Sequence, residues 1–263
     1  VDLFYDEEGW VWVGVHFGSR GFGHKTATGF LALAAGKQWG DKVHDSMDAP
    51  PVLLKQSDPL GQDYFTAMSI AGEYAYAGRD WVCNKVLDIL GAKMVDEVHN
   101  HHNFAWLEEH FGEELTVVRK GCTPAWPGQR GFVGGSMGDV SVILEGVDSP
   151  ASADALYSTV HGAGRVMSRT EAAGKVKWIR DEGTGKKVPT RVSKGKVDWD
   201  VVKESLARQG VLLRGGGADE APEVYKRLPE VLAYHEGTIK VVHTLTPFIV
   251  LMAGANEVDP YKD

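Results

Sequence analysis

Trp10-Val11-Trp12-Val13-Gly14-Val15-His16-Phe17 alternates as a strand does, and it runs into the turn Gly18-Ser19-Arg20-Gly21-Phe22-Gly23. On that strand Val11, Val13 and Val15 share one face, and His16 falls with Trp12 and Gly14 on the other. Residues 25–38, beyond the turn, have helical spacing. A strand, a glycine turn and a helix in direct succession open a chain whose elements then follow no regular order.

Working outward, Phe65, Met68, Ala71, Ala75, Val82, Val86 and Leu90 predict a helix from Asp63 to about Met94, with Gly72 and Gly78 as points where it kinks or divides. Asp48–Gly61 reads as a Pro-containing loop. Strands are expected at 114–119, 139–145, 156–161, 175–180 and 238–252. Asp198–Gln209 is an amphipathic helix, with Asp198 or Asp200 as N-cap and Gly210 as its stop. Another helix is expected over Pro222–His235. Arg214-Gly215-Gly216-Gly217-Ala218-Asp219 reads as a loop too irregular for a phosphate motif. Without β-α alternation or an internal repeat, the pattern predicts an α+β fold rather than a doubly wound sheet. Gly183–Lys187 offers a possible boundary, but one domain is the simpler reading.

The chain has 263 residues, 43% hydrophobic and 24% charged, as an ordinary globular protein does. No apolar run is long enough to span a membrane, so no membrane partner is expected. Cys83 and Cys122 form no metal or redox spacing, and a reduced, cytoplasmic setting is expected. A net charge of −8 argues against a protein that coats nucleic acid along its whole surface. It remains compatible with a local basic patch. The 32 glycines cluster with Ser and His rather than in linkers, which suggests sites lined by backbone.

Four segments concentrate reactive groups. In His16–His24 a histidine at a strand end precedes a glycine turn, an arrangement that aims an imidazole into a cleft or caps a turn. Asp96-Glu97-Val98-His99-Asn100-His101-His102-Asn103 sets three imidazoles within four residues, a donor set for Mn, Fe, Zn, Ni or Cu. On a strand His99 and His101 would share a face, with His102 opposite. Arg119-Lys120-Gly121 and Gly134-Gly135-Ser136-Met137-Gly138 supply cations, backbone N–H groups and a hydroxyl suited to an anion, without matching the Walker pattern. In His161-Gly162-Ala163-Gly164-Arg165-Val166-Met167-Ser168-Arg169, a histidine at a strand end meets small residues and two arginines. Arg165 and Arg169 would lie on one helix face, as partners of phosphate.

In this order the four segments resemble the RtcB family of RNA-splicing ligases. The likeness is carried by His16-Phe17-Gly18-Ser19-Arg20-Gly21-Phe22-Gly23-His24, by His101-His102-Asn103 with Glu108-Glu109-His110-Phe111-Gly112-Glu113-Glu114, by Arg119-Lys120-Gly121 with Ser136-Met137-Gly138, and by Ser158–Arg169. It is strong over 1–170 and looser over 171–263, where Glu223-Val224-Tyr225-Lys226 and Thr244-Leu245-Thr246-Pro247 still look alike.

The resemblance implies a fold and a chemistry. The fold would be a single mixed α+β domain whose sheets surround a central metal and nucleotide cleft. The reaction would join RNA 3′-phosphate or 2′,3′-cyclic phosphate ends to 5′-hydroxyl ends, using GTP and Mn²⁺. His161 would be the nucleophile that carries GMP, and His16 and His102 would bind one of two Mn²⁺ ions. Asn103, Gly134, Gly135, Ser136, Met137, Ser141, Gly162, Ala163 and Gly164 fall on nucleotide-contacting positions. Arg20, Arg165 and Arg169 are candidates for phosphate or RNA contact. Substrates would be tRNA halves or broken RNA, with an activating helper protein as a further partner. Residues 1–263 would be the catalytic domain without the family's first segment, since the early Asp and Cys ligands and the Gly-Asn-His segment precede this region. Gly134 replaces a usual Pro, and Leu251-Met252-Ala253-Gly254 stands where members have a guanine-reading Lys. The alternative is a divergent or non-catalytic relative that binds nucleotide or RNA.

Overall fold

An unbroken apolar run, Val142-Ile143-Leu144, marks a strand covered on both faces. In the computed structural model all three residues are buried, and the strand containing them lies inside the main sheet. The structure describes residues 1–43 and 52–254. In order these form β1 (Asp2–Tyr5), β2 (Val11–Gly14), α1 (Gly21–Ala34), α2 (Pro59–Leu90), β3 (Asn103–His110), β4 (Glu113–Lys120), β5 (Cys122–Pro124), β6 (Arg130–Val133) and β7 (Ser141–Gly146). There follow α3 (Pro150–Asp154), β8 (Ser158–Val160), α4 (Arg169–Ala173), β9 (Val176–Arg180), β10 (Lys187–Arg191), α5 (Trp199–Arg208), β11 (Leu212–Gly216), α6 (Leu228–Ala233) and β12 (Ile239–Gly254). The mixture is α+β, as expected. No helix among the described residues is long and apolar enough to cross a membrane.

Two compact units result. Among the described residues, one combines Val1–Gly14 with Asp96–Gly254, and the other lies within Val15–Val95.

The first unit is built on a six-stranded sheet ordered β2-β1-β12-β7-β6, with β11 added parallel to β12. β12 is its seam: Ile239–Leu245 pair with β7, and Thr246–Val250 pair with β1. Pro247 has no N–H to give a ladder, and it sits where the β1–β12 register shifts, the place a strand tolerates proline. Above this sheet Val133, Val142, Leu144, Ala163 and Leu228 form one core cluster; Met137, Val202, Leu206, Val224 and Val250 belong to another. In the second unit α1 packs against α2. Gly72 and Gly78 do not divide α2, which runs unbroken over Pro59–Leu90. A side chain at 78 would meet the Phe17 ring at 3.1 Å, so glycine there serves close packing.

α5 agrees with the sequence in detail. Asp198 Oδ1 accepts from the N–H groups of Asp200 and Val201, Val202 and Leu206 are buried one turn apart, and Gly210 reverses the chain at φ +79°. The long strand expected at 238–252 is β12, and 114–119 lies within β4. Gly183–Lys186 lie in the turn of the β9–β10 hairpin, and Lys187 opens β10.

Four expectations are corrected. Pro222–His235 is not one helix: a 3-10 turn at Pro222–Val224 gives way to extended Tyr225, and α6 begins at Leu228. Pairing with the neighbouring chain stretches it there, since Val166 N–H donates to Val224 O and Lys226 N–H to Gly164 O. Arg165 and Arg169 do not share a helix, because Ser168 caps α4 through Glu171 N–H and the helix starts only at Arg169. His99 and His101 are not on a strand. Asn100 replaces ladder bonds with side-chain ones, accepting from Phe132 N–H and donating to Thr123 Oγ1. The loop expected over Asp48–Gly61 lies partly outside the described residues, and its end is taken up by α2 from Pro59.

Candidate active site

β3 and β4 form a hairpin turned by Phe111 and Gly112, both at positive φ. His102 enters this hairpin at its open end, where Asn103 pairs with Lys120. The preceding segment is pinned by Arg130, which makes two 2.7 Å bonds to Asp96. Gly121 leaves β4 at φ +73°, a conformation that suits glycine, and turns the chain into β5. β5 pairs with β8 so that Cys122 faces Val160. One step outward along each strand, Gly121 therefore faces His161.

The contact is direct. His161 Nδ1 lies 2.7 Å from the Gly121 carbonyl oxygen, and Gly121 N–H donates to His102 O at 2.9 Å. The two imidazoles stand with ring centroids 4.6 Å apart, tilted by 36°. A carbonyl oxygen can only accept, so Nδ1 carries the proton and Nε2 holds the ring's basic lone pair. The ring is thereby set up as a nucleophile or metal donor through Nε2. His161 and His102 are half-buried, and Asn103 is exposed.

The glycine segment lies beside the residues that follow His161. Gly134 pairs with Gly162, and Ala163 N–H donates to Gly134 O at 3.2 Å. Ser141, buried, accepts from Gly135 N–H at 3.0 Å, which commits that N–H to the loop itself. A Cβ at Gly135 would lie 2.1 Å from Val140 O, so no other residue fits. The Met137 side chain is in the core. Ser136 lines a cavity of about 480 Å³ together with Gly138, Asp139, Tyr225 and Arg227. Asp139 fixes the wall by accepting from Arg227 and from Leu228 N–H, each at 3.0 Å.

Beyond Gly164 an ionic cluster forms. The Arg165 guanidinium lies over the Tyr225 ring and donates to its hydroxyl at 3.0 Å. Tyr225 in turn donates to Glu220, and Arg169 pairs with Asp219 and Glu220. Burial, and then the bond to Glu220, push the Tyr225 phenol up to about 12. Arg165 Nη2 is buried and has no hydrogen-bond partner among the described residues.

A second polar cluster supports the histidine strand from behind. Arg119 is fully buried, donates to both Glu108 oxygens at 2.7 and 2.8 Å, and reaches Leu156 O and Ser158 Oγ. His110 completes the cluster at 2.9 Å from Glu108 and stacks on Trp126. Leu156 and Tyr157, just before β8, both sit at positive φ (51° and 45°).

Of the residues picked out from the sequence, the first unit brings His102, Asn103, Gly134–Met137, Ser141 and His161–Gly164 onto neighbouring elements. His16 and Arg20 belong to the other unit; both are exposed, and Arg20 precedes α1 at φ +56°. The orienting part of Gly121 and the buried Arg119–Glu108–His110 group emerge only in the folded chain. The Arg-Lys-Gly triplet after an alternating strand was the available signal for the former.

Comparison with known proteins gives a consistent result. The sequence model of the family described as "tRNA-splicing ligase RtcB" matches residues 2–253. The chain is 30% identical over 256 residues to the RNA-splicing ligase RtcB of Escherichia coli K12, covering 93% of this chain and 57% of that protein. It is 35% identical over 278 residues to the tRNA-splicing ligase RtcB of Archaeoglobus fulgidus, covering 92% and 52% respectively. With the Pyrococcus furiosus tRNA-splicing ligase RtcB it shares 32% over 297 residues, 94% of this chain and 27% of that one. The chain thus spans little more than half the length of the first two and about a quarter of the third. The family match runs through the second half, where the sequence likeness was looser, and the chain belongs to the RtcB family of tRNA-splicing ligases.

Proposed function

We propose that the chain joins RNA 3′-phosphate ends, or 2′,3′-cyclic phosphates opened by water to that form, to 5′-hydroxyl ends through a guanylate carried on His161. The observation that supports this most is the hydrogen bond from His161 Nδ1 to the Gly121 carbonyl. It leaves the lone pair on Nε2, as attack on phosphorus requires.

In the first step Nε2 attacks the α-phosphorus of GTP. An N–P bond forms, the bond to the bridging oxygen breaks, and pyrophosphate leaves with that electron pair. The ring gains positive charge, which the Gly121 carbonyl dipole stabilises. The RNA 3′-phosphate next attacks the same phosphorus and returns the lone pair to Nε2. The 5′-hydroxyl then attacks the activated 3′-phosphate, loses its proton to solvent, and displaces GMP.

The donor chemistry fits a metal-assisted version of this. Imidazoles accept borderline divalent ions, Mn²⁺ among them, and His102 stands ring to ring with His161. His102 would be a ligand of Mn²⁺, which when bound polarises phosphoryl oxygens. Asn103, Gly134–Met137, Ser141 and Gly162–Gly164 would receive the nucleotide, and the cavity beside Ser136 has the volume of a small-molecule site. Arg165, with a buried Nη2 to offer, suits a phosphate oxygen. Arg20 and Arg169 would add contacts to RNA.

The test is intact-protein mass spectrometry after incubation with GTP and Mn²⁺. A gain of one GMP, mapped to His161 and absent from His161→Ala, is expected. A folded wild-type protein that gains nothing would overturn the mechanism and favour a relative that only binds nucleotide or RNA.

A further inference from the structure

Lys175–Lys196 stands apart in charge. Eight of its residues are Lys or Arg and two are Asp or Glu, a local balance of +6 in a chain totalling −8, so that the remainder carries −14. The segment folds as β9 and β10, an antiparallel pair joined to no other sheet. The register places Arg180 opposite Lys187 and Val176 opposite Arg191, so Arg180, Lys187 and Arg191 share one face. All three are exposed, as is Lys177 on the other face.

Like charges directly across a strand pair repel and destabilise it. Within this chain little offsets that repulsion. Among the described residues, Lys196 with Glu171 is the only ion pair made by the eight cations. The hairpin therefore carries a stripe of uncompensated positive charge on a strongly acidic body. An extended polyanion is disfavoured by the net charge of that body and attracted by this hairpin.

We propose that the β9–β10 hairpin is an electrostatic arm for the sugar–phosphate backbone of single-stranded RNA. The inference rests on the ligase reading, which supplies a polyanion as substrate. Backbone contacts of this kind position a strand without reading its bases. The arm therefore accepts RNA ends of any sequence. It follows His161 in the chain by way of α4, and it takes no part in the chemistry at that histidine.

The experiment compares the full chain with its Arg180→Gln/Lys187→Gln/Arg191→Gln variant. Binding of a fluorescent 3′-phosphorylated single-stranded RNA is followed by anisotropy across a salt series, and guanylylation of His161 by mass. Each phosphate that the arm no longer neutralises lowers the slope of log affinity against log salt by about 0.7. With three cations removed, the variant is expected to show a slope shallower by about 2. Its affinity at low salt should fall at least about tenfold, while it still takes up GMP and melts no lower than wild type. Unchanged slope and affinity would overturn the arm, whether or not His161 is guanylylated. A reduced slope in a protein that never forms the adduct would support the arm and sink the ligase mechanism instead. Binding to phosphatidylserine vesicles in place of RNA, abolished in the same variant, would overturn the assignment to RNA.

Discussion

His161 donates from Nδ1 to the carbonyl oxygen of Gly121, and the same glycine donates its N–H to the carbonyl of His102. One glycine thus sets both the proton on one imidazole and the backbone of the other. Gly121→Ala would hold an L-residue in the left-handed region, at a cost of roughly 1–2 kcal/mol. Adduct formation should slow by about tenfold or more, because small misplacements of a reacting group are expensive. A variant that reacts at the wild-type rate would separate the carbonyl from the reactivity of His161.

His102→Ala is expected to weaken Mn²⁺ binding by at least roughly tenfold, the scale on which even the outer partners of a metal act. Isothermal titration with Mn²⁺ reads this directly. Unchanged affinity and stoichiometry would remove His102 from the site.

Removing Arg119 leaves the Glu108 carboxylate in the interior without its main partner. Arg119→Met should destabilise by about 3–5 kcal/mol in urea. A loss below about 1 kcal/mol, the worth of a surface pair, would mean that water replaces the guanidinium.

The same pair makes a pH prediction. Burial pushes the Glu108 carboxyl up, but hydrogen bonds from Arg119 and His110 outweigh it and hold the group below the ordinary glutamate value. A depressed carboxylate stabilises the fold fully above its unfolded value, and that contribution disappears as pH falls through the folded one. Glu108→Gln should therefore flatten the acid side of the stability curve below the ordinary glutamate range. Parallel acid limbs in mutant and wild type would contradict this.

Asp198→Ala removes the acceptor for two N–H groups at the start of α5 and should cost about 1 kcal/mol. Thermal melts of the pair would show it, and Asp198→Asn should recover most of the loss.

α5 was legible because cap, periodicity and glycine stop are all local. β12 was legible because its apolar run is long. β3 was not: its inward positions are Phe104, Trp106, Glu108 and His110, while Leu107 is exposed. Glu108 points inward there because Arg119 on β4 meets it, a relation visible only once the strands pair. The Arg165–Arg169 spacing suggested a helix face, and a single serine cap cancelled it. In the candidate site the types and positions of His102 and His161 were readable. Which nitrogen of His161 holds its proton depends on a carbonyl forty residues away, which no spacing rule reaches.

Leu156 and Tyr157 have a consequence for engineering. Tyr157 has a reason for its left-handed backbone, since its ring stacks on Trp126 with centroids 4.4 Å apart. Leu156 contributes its carbonyl to Arg119, a backbone atom that glycine would supply equally well. Replacing it with glycine would release conformational strain at no cost to that bond. The turn ahead of the histidine strand therefore holds strain that a glycine at 156 would remove, set against the loss of a half-buried leucine side chain.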